Sequence, residues 1–167
     1  LLISGFNVTV PYKEAALPYL NVLTPEARSI GAVNTVFRKG RRWIGANTDA
    51  YGFMTSLKKE GQFIPRGMNC LILGAGGSTR ACAFALGVEK VRAVHIANRH
   101  EKRSRQMASH WQRRFPKTKW TFSGLDEKVL RSKLVEADLI LNTTSVGLKT
   151  TDASLVPKIW IPKASGK

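Results

Sequence analysis

The sequence predicts an α/β fold that contains a doubly wound parallel sheet. Short apolar segments alternate with longer segments of helical periodicity through its second half. Buried parallel strands have this near-continuous apolar character, and helices alternate with them. A glycine-rich stretch at residues 74–77 also joins the first of these apolar segments to a helix. These observations place the parallel sheet in residues 68–167, after a separate α/β domain in residues 1–60.

The first domain is predicted to begin with a strand. Residues 5–10 alternate polar and apolar types, so Asn7 and Thr9 are expected on one face of the sheet. Pro11 suits the first turn of a following helix, where no amide donor is needed. Lys13 would then rise from that first turn, beside backbone amides that lack a partner.

A helix and a hairpin follow. Thr24 and Pro25 are typical of a helix start, and Gly31 is typical of a helix end. Alternating residues at 32–37 and 42–46 predict two strands joined by a turn.

A second helix ends the first domain. Thr48 or Asp49 is expected to cap it, and it runs to Glu60 and stops at Gly61. Glycine, proline and arginine then interrupt the periodicity over residues 61–67, which predicts a linker.

The second domain repeats strand and helix. No internal repeat or low-complexity tract accompanies this pattern, and residues 150–167 carry no clear signal. The predicted strands are 68–73, 93–97, 119–122 and 138–142, and the predicted helices are 78–86, 101–115 and 126–135.

Composition excludes several classes of protein. The 167 residues are 43% apolar, enough for a buried core. Every apolar run is far shorter than the ~20 residues of a membrane span, so we expect a soluble, cytoplasmic protein. Cys70 and Cys82 fall on an apolar strand and helix, where buried thiols are expected. The three histidines lack spaced ligand partners, so no metal site is predicted.

Positive charge is the feature that fits a metabolic enzyme least. Lysine and arginine number 27 against 11 acidic residues, a net charge of +16. Eight basic residues and one acid, Glu101, lie within residues 99–119, which would attract a polyanion. The same segment carries an apolar stripe of Met107, Trp111 and Phe115, typical of a packed helix. A solvated basic face is the simpler interpretation, and nucleic-acid binding is the less favoured alternative.

The glycine-rich turn is a candidate phosphate site. Glycine between a strand and a helix lets backbone amides approach a pyrophosphate, and the helix N-terminus supplies positive potential. Thr79 stands where the general dinucleotide fingerprint has glycine or alanine, so a tight turn without a ligand is an alternative. The residues predicted to bind the cofactor here are Gly74, Ala75, Gly76, Gly77 and Ser78.

The end of the second parallel strand predicts which dinucleotide binds. NAD sites place a carboxylate there for the ribose hydroxyls, but this chain has Asn98, Arg99 and His100 before its first acid, Glu101. A guanidinium binds a 2′-phosphate with paired donors, whereas a carboxylate would repel it. Arg99, with Arg103 one helical turn further on, therefore favours NADP. A surface arginine at a strand end is the alternative.

A polar turn follows the last predicted strand, at the carboxyl edge where open α/β sheets bind ligands. We expect it to line the nicotinamide side of the cofactor, although a plain polar loop would have a similar composition. The turn consists of Asn142, Thr143, Thr144, Ser145 and Val146.

Lys13 and Asp49 are the candidates for acid–base chemistry. Hydride transfer between a nicotinamide and a secondary alcohol needs a group that gives or takes one proton at the alcohol oxygen. The Lys13 ammonium can supply that proton, and a carboxylate within ~4–6 Å keeps an amine charged. Without this chemistry, Lys13 would be a solvent-exposed lysine and Asp49 a helix cap.

Four motifs in this order resemble the shikimate dehydrogenase family, over about residues 5–148. The resemblance implies an α/β substrate domain followed by a Rossmann-like NADP-binding domain. It also implies reduction of 3-dehydroshikimate to shikimate, in aromatic amino-acid biosynthesis by way of chorismate. The motifs are asparagine-x-threonine-x-proline-x-lysine at 7–13, alanine-valine-asparagine-threonine at 32–35, asparagine-threonine-aspartate at 47–49 and glycine-alanine-glycine-glycine at 74–77.

The resemblance implies roles for the polar residues of the first domain. Lys13 and Asp49 match the family's catalytic lysine and aspartate. Asn7, Thr9 and Asn34 match side chains that bind the hydroxyls and the carboxylate of the substrate.

Members of this family extend beyond both ends of the similarity. They carry an earlier segment with a serine pair and a later segment with a glutamine, both of which contact the substrate. The chain starts at Leu1 inside an expected strand and ends at Lys167 before the sheet is complete. We therefore expect an internal piece, truncated at both ends. Two alternative functions stay open: a quinate/shikimate dehydrogenase paralogue, and a basic nucleotide- or nucleic-acid-binding module without catalysis. A homodimer is a possible assembly.

Overall fold

The computed structural model of the protein describes residues 3–160, and the predicted α/β fold with a parallel sheet is confirmed. Expectations about the first two and the last seven residues fall outside this described range. Among the described residues, no helix is long and apolar enough to cross a membrane.

The chain divides into two compact units. Residues 76–89 group with the first unit, although the sequence pattern placed them in the second domain. The functional assignment of domains 1–60 and 68–167 stays a prediction. The first unit comprises the residues up to Ile64 and Gly76–Glu89, and the second comprises Pro65–Ala75 and the residues from Lys90 onward.

The first unit contains a mixed four-stranded sheet. Its strands are β1 (Gly5–Asn7), β2 (Val22–Leu23), β3 (Thr35–Lys39) and β4 (Arg42–Ala46). Their order is β1-β3-β4-β2, with β3 and β4 forming the predicted hairpin and β2 parallel to β4. Strand β2 escaped prediction because two residues are too few to show a period.

The first strand is shorter than predicted, and the predicted helical turn after it is wrong. Strand β1 ends at Asn7, so Thr9 lies beyond it. The expectation that Asn7 and Thr9 share one face of the same strand is therefore wrong. The amide of Tyr12 donates to the Thr9 carbonyl at 2.8 Å and closes a turn around Pro11. This turn takes the chain out of the sheet before the strand pattern is complete.

The first helix of the first unit, α1, begins and ends at the predicted capping residues. The Thr24 hydroxyl accepts from the Ala27 amide at 3.2 Å, and Gly31 ends the helix with φ of +72°. Glycine adopts this left-handed conformation without a steric penalty. The helices are α1 (Pro25–Ile30), α2 (Asp49–Thr55) and α3 (Gly77–Val88), with a 3₁₀ turn at Leu17–Tyr19 and a π-type turn at Ser56–Glu60 that extends α2.

Small side chains hold α3 against the other helices of this unit. Ala81 and Ala85 pack in one buried cluster with Ile30, Ala32 and Ala50. Alanine at these positions lets the helix backbones approach closely, since little side-chain volume separates them. The start of α3 is therefore anchored in the first unit.

The second unit contains a four-stranded parallel sheet in the order β7-β6-β5-β8. The chain moves outward from β5 through β6 to β7 and then crosses to the other side of β5. This reversal makes the carboxyl edge near β5 the place where an open sheet binds ligands. The elements are β5 (Asn69–Leu73), β6 (Ala93–Ala97), α4 (Glu101–Arg114), β7 (Lys119–Ser123), α5 (Glu127–Glu136) and β8 (Leu139–Asn142).

Packing of α4 confirms the apolar stripe predicted from the sequence. Met107 and Trp111 are buried, and the Trp111 ring lies 6.2 Å from that of Trp120 on β7. Helix α5 places Leu130 and Leu134 in a second buried cluster, with leucines of β5.

Both cysteines are free thiols; Cys70 is buried, as expected, whereas Cys82 is half-buried. Burial raises the pKa of Cys70 and of Cys82 to about 12, so both thiols stay protonated at neutral pH. They act as small apolar side chains.

A buried histidine bridges two strands of the parallel sheet. The Nδ1 of His95 lies 2.8 Å from the Thr121 hydroxyl, and its Nε2 lies 2.9 Å from the Ser123 hydroxyl. A neutral imidazole offers one donor and one acceptor, which two hydroxyls can match. Burial lowers the pKa of His95 to about 4; the Lys133 charge adds to this effect and Glu136 opposes it.

The free energy of unfolding should therefore fall as the pH drops from the ordinary histidine pKa of 6.5 towards 4. In this window the unfolded chain takes up a proton at His95 that the folded chain does not. Between pH 7 and pH 5 the loss from this residue is ~2 kcal/mol. Urea unfolding at both pH values measures it, and the His95→Gln variant should lose about that much less stability between them. An equal loss in both proteins would contradict the assignment.

Candidate active site

The structure brings Lys13 and Asp49 together in the first unit. The Lys13 ammonium donates to Asp49 Oδ2 at 2.8 Å, and the two side chains are 13% and 29% exposed. The backbone carbonyl of Lys13 accepts from the Val33 amide at 2.8 Å, which fixes the lysine against the strand-turn segment. The predicted convergence of an ammonium and a carboxylate is present within one compact unit.

Asn34 completes this ion pair. Its Nδ2 donates to Asp49 Oδ1 at 2.7 Å, so both carboxylate oxygens of Asp49 have a partner. The same amide group also donates to the Thr48 hydroxyl at 2.9 Å, and its Oδ1 accepts from the Thr48 amide at 3.0 Å. The side chain predicted to bind substrate therefore also holds the carboxylate in position.

Asn47 is a residue that the sequence analysis missed. It is buried, and its Oδ1 accepts from the amides of Asp49 and Ala50 at 3.0 and 3.4 Å. Its Nδ2 donates to the Ala32 carbonyl at 3.0 Å. Thr48, one of the two residues expected to cap α2, occupies the N-cap position, but its side chain forms no capping hydrogen bond. The side chain of Asn47 supplies that hydrogen bond instead. Asparagine is a preferred capping residue, and its place two residues before the first helical residue could have identified it.

Asn7 and Thr9 do not join this network. Both are exposed, at the end of β1 and in the turn beyond it. Among the described residues, no side chain forms a hydrogen bond with either of them. Their predicted contact with a substrate stays a prediction.

The glycines of the glycine-rich turn meet different constraints. Gly74 has φ of +116°, and a Cβ there would lie 2.6 Å from the Thr143 hydroxyl. Gly76 is extended, and a Cβ there would meet nothing within 4 Å. Only the second pattern leaves room for a ligand to approach the backbone.

Thr79 accounts for the departure from the dinucleotide fingerprint. It is fully buried, and its hydroxyl accepts from the Gly76 amide at 3.1 Å. One amide of the turn is therefore satisfied by this side chain. The next amides, at the start of α3, belong to the first helical turn, whose donors lack intrahelical partners.

Two exposed arginines, predicted to bind the cofactor, follow β6. Arg99 and Arg103 are exposed, and neither guanidinium has an ion-pair or hydrogen-bond partner among the described residues. The Asn98 side-chain amide donates to the His100 carbonyl at 3.0 Å and orders the loop. Glu101, the nearby acid, is bound by Arg105 at 3.1 Å.

The polar turn after β8 uses its side chains internally. Asn142 accepts from the Thr144 hydroxyl at 2.7 Å and donates to the Val146 carbonyl at 2.9 Å. The Thr143 hydroxyl donates to the Leu73 carbonyl at 2.8 Å. Ser145 is exposed. The turn is ordered, and its cofactor contacts remain a prediction.

The second unit also has a cavity of about 260 Å³, and none of the predicted site residues lines it. It lies towards the amino ends of β5, β6 and β7, and its lining includes His95, Lys119 and Lys133. Open α/β sheets bind ligands at the opposite, carboxyl edge, so this cavity is not the candidate site.

Known proteins resemble the chain over most of its length. The family model described as the shikimate dehydrogenase substrate binding domain matches residues 1–36. Shikimate dehydrogenase (NADP(+)) of Geobacter metallireducens is 43% identical over 149 residues, which are 89% of this chain and 52% of that protein. The chain spans about half the length of the curated relatives it matches.

Solved structures are similar in fold and sequence. Shikimate 5-dehydrogenase from Thermus thermophilus, in complex with NADP(H) and shikimate, has a TM-score of 0.79 and 40% identity, covering 96% of this chain and 55% of that chain. Quinate dehydrogenase from Corynebacterium glutamicum, in complex with NAD, has a TM-score of 0.78 and 28% identity, covering 95% and 56%. The two TM-scores differ by 0.01, and the sequence identity is higher to the shikimate 5-dehydrogenase.

Substitution of two neighbouring glycines should separate their constraints. Gly74→Ala should destabilise the protein by ~2 kcal/mol or more, because alanine is strained at that φ and its Cβ would clash with Thr143. Gly76→Ala, the matched control, should change stability by less than ~0.5 kcal/mol. Urea unfolding of both variants measures the difference. Equal destabilisation would contradict the geometry.

Proposed function

Because the chain belongs to the shikimate dehydrogenase family, over the half of the family's length that it spans, we propose that the natural protein carrying it is an NADP-dependent oxidoreductase. The proposed reaction is reversible hydride transfer between NADPH and 3-dehydroshikimate, giving shikimate. The Lys13–Asp49 ion pair is the observation that carries this proposal, since it joins two family motifs in one hydrogen-bonded group. We place the reaction in the biosynthesis of chorismate and the aromatic amino acids.

Lys13 supplies the proton in this mechanism. When bound, the nicotinamide accepts or donates the hydride at the reacting carbon. In the reducing direction, the Lys13 ammonium donates a hydrogen bond to the carbonyl oxygen and then its proton, so the oxygen becomes a hydroxyl. In the reverse direction the neutral amine takes that proton back.

Asp49 directs the ammonium and contributes to substrate binding. Its carboxylate holds Lys13 from one oxygen while Asn34 holds the other, so the ion pair has a defined direction. A preorganised charge needs little rearrangement when charge develops on the carbonyl oxygen.

Asn7 and Thr9 are exposed at the same unit's first strand and following turn, and we propose that they bind the hydroxyls and carboxylate of the substrate.

The residues present fit an NADP cofactor. Open space at Gly76 and the amides that begin α3 suit a pyrophosphate. Arg99 and Arg103, without protein partners among the described residues, suit the 2′-phosphate. Glu101 is held by Arg105, so its charge is partly balanced. The polar turn 142–146 would line the nicotinamide side.

Two alternative functions each have a specific observation in their favour and a test of their own. The quinate dehydrogenase structure from Corynebacterium glutamicum is as similar in fold as a shikimate dehydrogenase structure, which supports a quinate/shikimate dehydrogenase as an alternative. A basic binding module without catalysis would account for the net charge of +16. Faster turnover of quinate than of shikimate would favour the first, and salt-sensitive retention on nucleic acid without turnover would favour the second.

Lys13→Ala should lower turnover of shikimate with NADP by ~10²–10⁴-fold, the usual contribution of general acid–base catalysis. NADP affinity should stay within about twofold, since the amides of the glycine-rich turn are unchanged. NADPH formation by the natural protein at its full length, followed by absorbance, measures this. Lys39→Ala, at an exposed lysine at the end of β3, is the control. Unchanged turnover in Lys13→Ala would refute the role of the lysine.

Arg99→Asp should weaken NADP binding roughly 10- to 100-fold and leave NAD binding nearly unchanged. The substitution removes a charge-assisted hydrogen bond to the 2′-phosphate and adds a repelling carboxylate. Titration with each dinucleotide measures both affinities. Arg113→Asp, an equal charge change on an exposed part of α4, controls for general electrostatics. A similar loss for NADP in both variants would place the phosphate elsewhere.

A further inference from the structure

The start of α3 packs directly on the stem of Lys13. A Cβ at Gly77 would lie 2.8 Å from Lys13 Cβ, 3.4 Å from its Cδ and 3.6 Å from the Ala32 Cβ. Gly77 is helical and its φ is not positive, so space rather than conformation requires glycine here. Glycine in such a turn is usually explained by approach of a phosphate to the backbone, but in this protein the side chain that needs the space is the lysine.

Ser78 contacts the charged end of the same lysine. Its hydroxyl accepts from the Lys13 ammonium at 3.3 Å, while Asp49 accepts at 2.8 Å. An ammonium has three N–H donors. Two of them are directed by protein groups, and one is left for an oxygen of a substrate.

A second contact ties α3 to the turn that carries Lys13. Arg80 forms an ion pair at 2.8 Å with Glu14, the residue that follows Lys13.

The positive end of a helix disfavours a nearby ammonium. Asp49 and the Ser78 hydroxyl offset that effect at the atom where the charge lies.

We propose that Gly77 and Ser78 are positioning residues for Lys13. Gly77 leaves room for the lysine stem, and the Ser78 hydroxyl sets the direction of the ammonium. The first helix after the glycine-rich turn thus serves the proton donor as well as the cofactor. This inference rests on the proposed function for the identity of the reaction, and on the contacts alone for the position of the lysine.

Kinetics of Ser78→Ala in the natural protein at its full length test the catalytic part. A misplacement of ~1 Å can lower a rate ~100-fold; with Asp49 in place we expect a smaller loss, about tenfold in kcat. NADP affinity and the KM for NADP should stay within about twofold, because the backbone amide of residue 78 remains. Ser78→Thr, which keeps the hydroxyl, should recover most of kcat. A loss confined to NADP affinity, or equal losses in both variants, would overturn the proposal.

The reactivity of Lys13 tests the position without any turnover. Labelled acetic anhydride followed by peptide mass spectrometry gives the acylation rate of Lys13 relative to the exposed Lys39. Ser78→Ala should raise that ratio by about fivefold, because a hydrogen bond that protects the ammonium is lost. Gly77→Ala should raise it by a similar factor, because the added methyl group displaces the lysine stem and so moves the ammonium away from Asp49. Ser109→Ala, at an exposed serine on α4, should leave it unchanged. An unchanged ratio in both test variants would overturn the proposal.

The two readouts fail separately. If the unsubstituted protein does not oxidise shikimate with NADP, the proposed function is wrong. The acylation ratios would still decide whether Gly77 and Ser78 position Lys13.

Discussion

The ion pair between Lys13 and Asp49 is the interaction on which the rest of the site depends. A half-buried ammonium and carboxylate lose part of their hydration, and hydrogen bonds from neighbouring groups offset that loss. Asn34 supplies the second partner of the carboxylate, and Ser78 supplies a second partner of the ammonium. Residues far apart in sequence are therefore held to one geometry by hydrogen bonds of 2.7–3.3 Å.

The glycine-rich turn shows how one motif can serve three physical demands. Gly74 needs a backbone conformation closed to other residues, Gly76 leaves open space, and Gly77 makes room for Lys13. Thr79 replaces the small residue of the general fingerprint and returns a hydrogen bond to the turn. A pattern of glycines alone does not reveal which demand applies at which position.

The basic residues in and next to α4 account for part of the positive charge of the chain. The apolar side of α4 packs on the sheet through Met107 and Trp111, while its basic residues face solvent. Arg99, just before α4, and Arg103, in its first turn, have a specific chemical use in the proposed cofactor site. The remaining positive charge has no structural account in the described residues.

The sequence alone determined the α/β class, the parallel strands, the ends of most helices and the pairing of Lys13 with Asp49 as candidates. These features follow from local periodicity, from capping residues and from motif resemblance. It did not predict the end of β1, the capping role of Asn47, the grouping of α3 with the first unit, or the contacts of Gly77 and Ser78 with Lys13. Those depend on which distant residues meet, because a side chain such as Ser78, 65 positions from Lys13, gains its role only when the chain has folded.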